Sequence, residues 1–290
     1  MNFLAVLLAL AAERFLPHGL GLGEPRLLRA LLRSLDRSRI GAALARSALL
    51  PWLLTTVVVG LVAVVQYRLM GSLAGGLFGT LVLFLCLGPR DLADEIGPLL
   101  AARQRGDRPE VIRLARALHH GPEPDESHRS LLGTLFIQSH ERLFGVLLGF
   151  LTIGPVGAVL YRLASRLPAQ VEALEPETAA ARAAAQLHGL VAWLPVRLTA
   201  LLFALAGSMD DAVAAWRRLG ETGFSHGWRS HTWAVLAEVG CGALASEEAD
   251  GGQTVAPRLD AALREVLRMQ TRALLILLAG FAVFTTGTLF

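Results

Sequence analysis

The sequence predicts an all-α integral membrane protein with about four to six membrane helices, and with helical segments packed on the bundle from the cytoplasmic side. Three observations predict it. Hydrophobic residues make up 53% of the 290 and charged residues only 18%, where a soluble domain carries about 25% charge; mean hydropathy is +0.51. Several uncharged runs approach the length of about 20 residues that a crossing needs. Arginines gather at the flanks of those runs, as they do on the cytoplasmic side of membrane proteins. A backbone in lipid must close its own hydrogen bonds, so the runs are helices. The chain, 1–290, reads as a single membrane domain.

The elements follow in order. Residues 1–16 form an apolar run that is short for a span, with Glu13-Arg14 at its end. Segment 17–46 is arginine-rich and reads as cytoplasmic. Runs 47–67 and 69–89 are separated only by Arg68, so they form a helical hairpin. Gly71, Gly75 and Gly79 recur every fourth residue on the second arm. Such a stripe allows close backbone approach, either within the chain or across a homodimer.

Segment 90–142 is polar and cytoplasmic. Its first part, 91–118, reads as one or two helices broken at Gly106-Asp107-Arg108-Pro109, and 122–125 reads as a loop. The run 143–161 is uncharged but interrupted by Gly154-Pro155, so it crosses with a kink or dips in and returns. Segment 172–187 is alanine-rich and helical by propensity. The run 189–207 carries Arg197, which costs about 2.5–3.5 kcal/mol at a helix centre and leaves insertion only marginally favourable.

Segment 208–272 is again polar, with 247–253 as a loop. Residues 257–271 form an amphipathic helix that leads into the last run, 273–290. Arg264, Arg268 and Arg272 make a stripe on it suited to lipid headgroups. Arginines precede the hairpin (Arg26 through Arg46), follow it (Arg90, Arg103, Arg105, Arg108) and precede the last run (Arg258 through Arg272). All three flanks therefore read as cytoplasmic, which requires an even number of crossings between them. Paired crossing of runs 143–161 and 189–207 is the expectation. The setting is a multi-pass protein of the bacterial inner membrane. No secretory leader is expected, because Glu13-Arg14 stands where small residues should mark cleavage.

Lys+Arg total 27 and every one is arginine, yet the formal net charge is only +3. Nucleic acid is not an expected partner, because no basic stripe with interleaved aromatics is present. Cys86 and Cys241 lack CxxC neighbours, so no redox or zinc site is expected. His119, His120 and His128 flank a proline loop, and His226 and His231 flank Gly227-Trp228, without metal-ligand spacing. No metal and no cofactor are expected. No phosphate-binding loop and no GxSxG or GxGxxG element occurs.

His140-Glu141-Arg142 stands just before an apolar run, and ionisable groups entering a membrane are functional candidates. An interfacial ion pair is the structural alternative. Arg197, inside Trp193-Leu194-Pro195-Val196-Arg197, must find a partner, with Glu141, Asp210 or Asp211 as candidates, or bind an anionic ligand.

Glu13-Arg14-Phe15-Leu16-Pro17, the uncharged hairpin, Ile153 through Gly157, Trp193 through Leu198 and Asp210 through Trp216 together resemble the AmpE family of inner-membrane β-lactamase regulators. The likeness runs over essentially the whole chain. That family is similar in turn to the CobD/CbiB membrane enzymes, which join an aminoalcohol phosphate to a corrinoid carboxylate using ATP. Here the likeness lies in Gly106-Asp107 with Arg116, Gly154 through Ala158 with Tyr161, and Trp193 through Ala200. The enzyme family's Glu-Ser-x-Ala-Glu-Asn-x-x-Asp-Gly element stands here as Gln138-Ser139-His140-Glu141-Arg142-Leu143-Phe144-Gly145. ATP-dependent amide formation uses carboxylates to hold Mg²⁺, so the loss of acids implies a decayed or repurposed site.

The resemblance therefore implies an accessory protein for β-lactamase induction and cell-wall stress, acting by binding and not by catalysis. Its partners would be the bilayer and an anionic or cell-wall-derived ligand, touched by Glu13, His140, Glu141, Arg142, Trp193, Arg197 and Asp210. The rival is an ATP-dependent amide-forming enzyme of the CobD/CbiB type, and a third reading is a structural scaffold.

Overall fold

The computed structural model describes residues 2–15, 30, 32, 34, 43–44, 46–87, 92–118, 128–174, 176–221, 227–244, 248–249, 253–254 and 259–287. The loop at 122–125, His119, His120, His226 and most of 17–46 lie outside these, as do the side chains of Glu13 and His128.

The described chain is helical, as the composition requires. Its elements are α1 (Asn2–Phe15), α2 (Leu49–Leu69), α3 (Leu73–Cys86), α4 (Leu92–Gln104), α5 (Arg108–Leu118), α6 (His128–Ser139), a π-helical turn (His140–Phe144), α7 (Gly145–Ile153), α8 (Pro155–Glu172), α9 (Ala179–Ala206), α10 (Met209–Glu221), α11 (Trp228–Ala243) and α12 (Leu259–Gly287). One small antiparallel ladder pairs Glu248–Ala249 with Gln253–Thr254 inside the expected 247–253 loop. Among the described residues three helices are long and apolar enough to cross a membrane: α2, α9, and α12 over Leu259–Phe284. The protein is thus an integral membrane helical protein. α3 is apolar but shorter, at 14 residues.

The chain divides into two compact units, each drawn from three stretches. The first holds Met1–Pro89, Glu141–Pro195 and Gly227–Arg229; the second holds Arg90–His140, Val196–His226 and Ser230–Phe290.

In the first unit α1 packs on α3, and α2, α3, α7 and α8 pack on one another. α7 and α8 form a tight antiparallel hairpin. Gly154 turns the chain at φ +73°, a conformation that costs a side-chain-bearing residue about 1 kcal/mol or more. Pro155 opens α8 where no amide donor is needed. A Cβ on Gly149 would stand 2.6 Å from the Gly157 carbonyl oxygen, so the two backbones touch directly. One turn further out, the Tyr161 ring fills the space above Gly145. The Gln66 side chain clamps the turn, donating to the Ile153 carbonyl (3.3 Å) and accepting from the Val156 amide (3.2 Å).

Gly154 interrupts run 143–161: residues 143–153 close the continuous helical stretch 128–153, and Pro155 opens α8, which packs back against α7. Run 189–207 lies, up to residue 206, within the 28-residue helix α9, which has the length to cross.

Gly71 sits at φ +79° in the α2–α3 turn, a Cβ on Gly75 would strike the Leu69 carbonyl, and one on Gly79 would meet Pro155 at 3.5 Å and Phe150 at 3.6 Å, so Gly79 serves packing inside the chain. A buried cluster joins Leu50 of α2, Ala164, Leu167 and Val171 of α8, and Ala180, Ala184 and Leu187 of α9. Its alanines let helices approach where lipid gives no hydrophobic drive.

In the second unit the break expected at Gly106 is present, with φ +72°. Asp107 caps α5 by accepting from the Glu110 amide at 3.2 Å. α12 packs on α6 and α4. Phe136 meets Phe203 edge-on at 5.0 Å, and its ring occupies the space a Cβ on Gly240 would need. Two of the expected headgroup arginines have protein partners: Glu265 lies 2.6 Å from Arg272 and 3.3 Å from Arg268. Arg272 also donates to the Ala206 carbonyl at the C-terminal end of α9, at 3.0 Å, where a cation suits the helix dipole.

Candidate functional site

The site grows from the π-helical turn. A π turn is rare and marks functional positions more often than chance. Here it carries His140 and Glu141, and the chain passes from the second unit to the first between them. Both are buried, at 1% and 6% exposure. Ionisable groups that deep in an apolar helix need partners, since an unpaired buried charge costs several kcal/mol.

Glu141 finds its partner on α9. Its Oε1 lies 3.2 Å from His188 Nε2, with both side chains almost wholly buried. α9 presents His188 because Ala192, Val196, Thr199 and Phe203 continue the same buried face at helical spacing. Tyr161, buried against Gly145, meets the His188 imidazole edge-on with ring centres 6.4 Å apart. Arg162 and Arg229 lie within electrostatic reach of Glu141. Arg229 is delivered by Gly189: a Cβ there would stand 2.6 Å from the Trp228 Cβ and 2.9 Å from the Arg229 amide. Burial pushes the Arg229 guanidinium below its ordinary range, while Glu141 and Glu172 pull it back up. The first unit therefore holds one carboxylate ringed by an imidazole, a phenol and two guanidiniums.

The other expected site residues have neighbours of their own. His140 Nδ1 lies 2.8 Å from Thr199 Oγ1, both in the second unit. Arg197, on α9 in the same unit, acts on His231, whose imidazole is held below its ordinary range first by burial and then by that arginine. Asp210 is exposed in the first turn of α10. Asp211 accepts from the Ser208 hydroxyl at 2.7 Å and is an acid in the first turn of that helix, where it suits the dipole. Trp193 is 45% exposed on α9. Arg142 lies on the π turn within electrostatic reach of Arg162. Glu13 lies on α1.

Glu141 pairs with His188, His140 with Thr199, and Arg197 has His231 as its charged neighbour. His188 was missed because a lone histidine in an apolar helix carries no spacing signal. Its phase with Thr199, eleven residues on, was the available clue.

Gln138 also changes meaning. Its amide donates to the Leu118 carbonyl at 3.3 Å, a bond that an ionised glutamate lacks the proton to make. The Mg²⁺ that the resemblance implies does not fit the donors around Glu141. Mg²⁺ wants several oxygen ligands, and this carboxylate is surrounded by an imidazole and cations. Among the described residues no group of three or more His, Cys, Asp or Glu is placed to hold a metal.

A buried acid–base pair with flanking guanidiniums, formed between the π turn and the long apolar helix α9, defines a membrane protein with a built polar site. The chain belongs to the CobD/Cbib protein family, whose model matches residues 9–246. It is 29% identical over 175 residues to the cobalamin biosynthesis protein CobD of Stutzerimonas stutzeri, covering 59% of this chain and 56% of that protein. It is 31% identical over 172 residues to the protein of the same name from Chromobacterium violaceum, covering 56% of this chain and 52% of that one. The matches span about half the length of these relatives. No solved structure matches.

Two expectations change. The family match supports the CobD/CbiB part of the resemblance and does not show the AmpE part. The expectation of a non-catalytic accessory protein is overturned, since the family and its curated relatives are biosynthetic. The linear motif misled because it counted lost acids. The fold instead gives the remaining acid, Glu141, an imidazole partner from a distant helix.

Proposed function

We propose that this chain is a membrane-embedded enzyme of cobalamin biosynthesis that joins a carboxylate to an amine as an amide. The observation that carries the reading is the buried Glu141–His188 pair, 3.2 Å apart, within the segment matched by the family. An amine must lose a proton as it attacks an activated carbonyl. His188 is the group to take it, and Glu141 orients the imidazole and stabilises its protonated form, as a carboxylate does for a catalytic histidine. Tyr161 and Arg229 hold the pair in place and keep the site dry, where electrostatic effects are strongest. ATP, in this reading, is a cosubstrate that activates the carboxylate. The arginine-rich flanks support a setting in which the polar segments lie on the cytoplasmic side of the inner membrane.

The test is direct. The protein purified in lipid nanodiscs is given ATP, a corrinoid carboxylic acid and an aminoalcohol phosphate, and the products are read by mass spectrometry. An amide of both substrates, minus one water, is expected. No product, under conditions where a CobD relative makes it, refutes the reading.

A further inference from the structure

One buried group has no part in that reaction. Arg162 on α8 keeps part of its stem exposed, but both terminal nitrogens, Nη1 and Nη2, are buried and make no hydrogen bond among the described residues. An unsatisfied buried guanidinium is among the costlier features a fold can hold. Its surroundings do not neutralise it. Arg166, one turn along α8, and Arg142, on the π turn, add positive charge; Glu141 opposes them, but its carboxylate is engaged with His188. Gln170, one further turn along the same face of α8, also buries an oxygen, Oε1, with no hydrogen-bond partner.

We propose that Arg162 is the anchor of an oxyanion-binding site in the first unit, which takes a phosphate group through the two terminal nitrogens of its planar fork. Guanidinium geometry matches two phosphate oxygens at once. Arg142 and Arg166 supply the field that draws the anion in. The phosphate belongs either to a soluble phosphomonoester or to a lipid headgroup; the chemistry is shared. The proposal does not depend on amide formation: the site can bind phosphate in a protein that makes no amide, and the reverse.

The experiment is thermal unfolding of the full chain in nanodiscs of neutral phosphatidylcholine, titrated with inorganic phosphate against chloride of matched ionic strength. The wild type should gain about 3–5 °C at phosphate about ten-fold above its Kd. Arg162→Met should lose that gain while matching or exceeding the wild type in chloride, because it removes an unsatisfied charge. A purely structural Arg162 gives the opposite: Arg162→Met unfolds at lower temperature in chloride, and phosphate does nothing to the wild type. If Arg162→Met yields no folded protein, Arg162→Lys carries the test. It keeps the charge but not the fork, so its phosphate gain should fall by at least about half; an undiminished gain overturns the proposal. In anionic phosphatidylglycerol nanodiscs, a wild-type gain without free phosphate, absent in the variant, assigns the site to a lipid headgroup. No gain from phosphate or from anionic lipid refutes the site.

Discussion

Gly149→Ala should destabilise the protein more than any surface change. The added Cβ would stand 2.6 Å from the Gly157 carbonyl oxygen and 2.9 Å from its carbonyl carbon. Real Cβ atoms essentially never approach closer than 3.0 Å, so one arm of the hairpin must move by at least several tenths of an ångström. The obstacle is backbone, which has no rotamer to escape into. Overpacking of this kind costs about 1–3 kcal/mol, which is about 2–12 °C of melting temperature for a chain of this size. The outer turn of the same hairpin holds Tyr161 against Gly145 and carries Glu141 and Arg162, so splaying the arms should also misalign the Glu141–His188 pair. Melting in nanodiscs, followed by tryptophan fluorescence, reads the first effect, and product formation reads the second. Gly149→Ala and Gly157→Ala crowd the same contact, so the double variant should lose less than the sum of the two. A melting temperature within about 1 °C of wild type for Gly149→Ala refutes the hairpin geometry.

Other expectations follow from single contacts. His231 has a depressed pKa in the folded state, so below 6.5 the unfolded chain binds its proton more readily. Stability from this source therefore rises with pH up to about 6.5 and is flat above; subtracting the melting curve of His231→Asn from that of wild type between pH 5 and 8 should show that slope. Asp211→Ala removes the acceptor of the Ser208 hydroxyl and an acid from the first turn of α10 and should cost about 0.3–1 kcal/mol, read by chemical denaturation. Arg103 and Asp260 are 2.6 Å apart but each about a third exposed, so Asp260→Asn should cost under about 1 kcal/mol and less at high salt.

Much of the fold was legible because it rests on local chemistry. The turn at Gly106, the break at Gly154-Pro155 and the long last helix all follow from glycine, proline and apolar run length. The direction of the Gly154 break was not legible. Whether a glycine–proline step kinks or reverses a helix depends on what packs behind it, and here Gly149 meets Gly157 across the turn. The site was legible only in part. Glu141 and His140 were found because charge next to an apolar run is conspicuous. His188 and Arg162 were not, because their roles come from neighbours distant in sequence: Glu141 for the first; Cys86 and Glu141 for the second. Arg197 drew attention for its expense in lipid, yet α9 turns it away from the face that carries His188 and Thr199.

The central claim is that Glu141 and His188 act together on a proton, and one measurement addresses it. The rate of amide formation is compared among wild type, Glu141→Gln, His188→Asn and the double variant at saturating substrates. The account predicts that each single change lowers kcat at least about 100-fold, that the double variant is little worse than either single one, and that Glu141→Gln lowers the melting temperature by less than about 10 °C. Single variants that keep more than a third of the wild-type kcat, while melting as much lower as a broken structural pair requires, would contradict it.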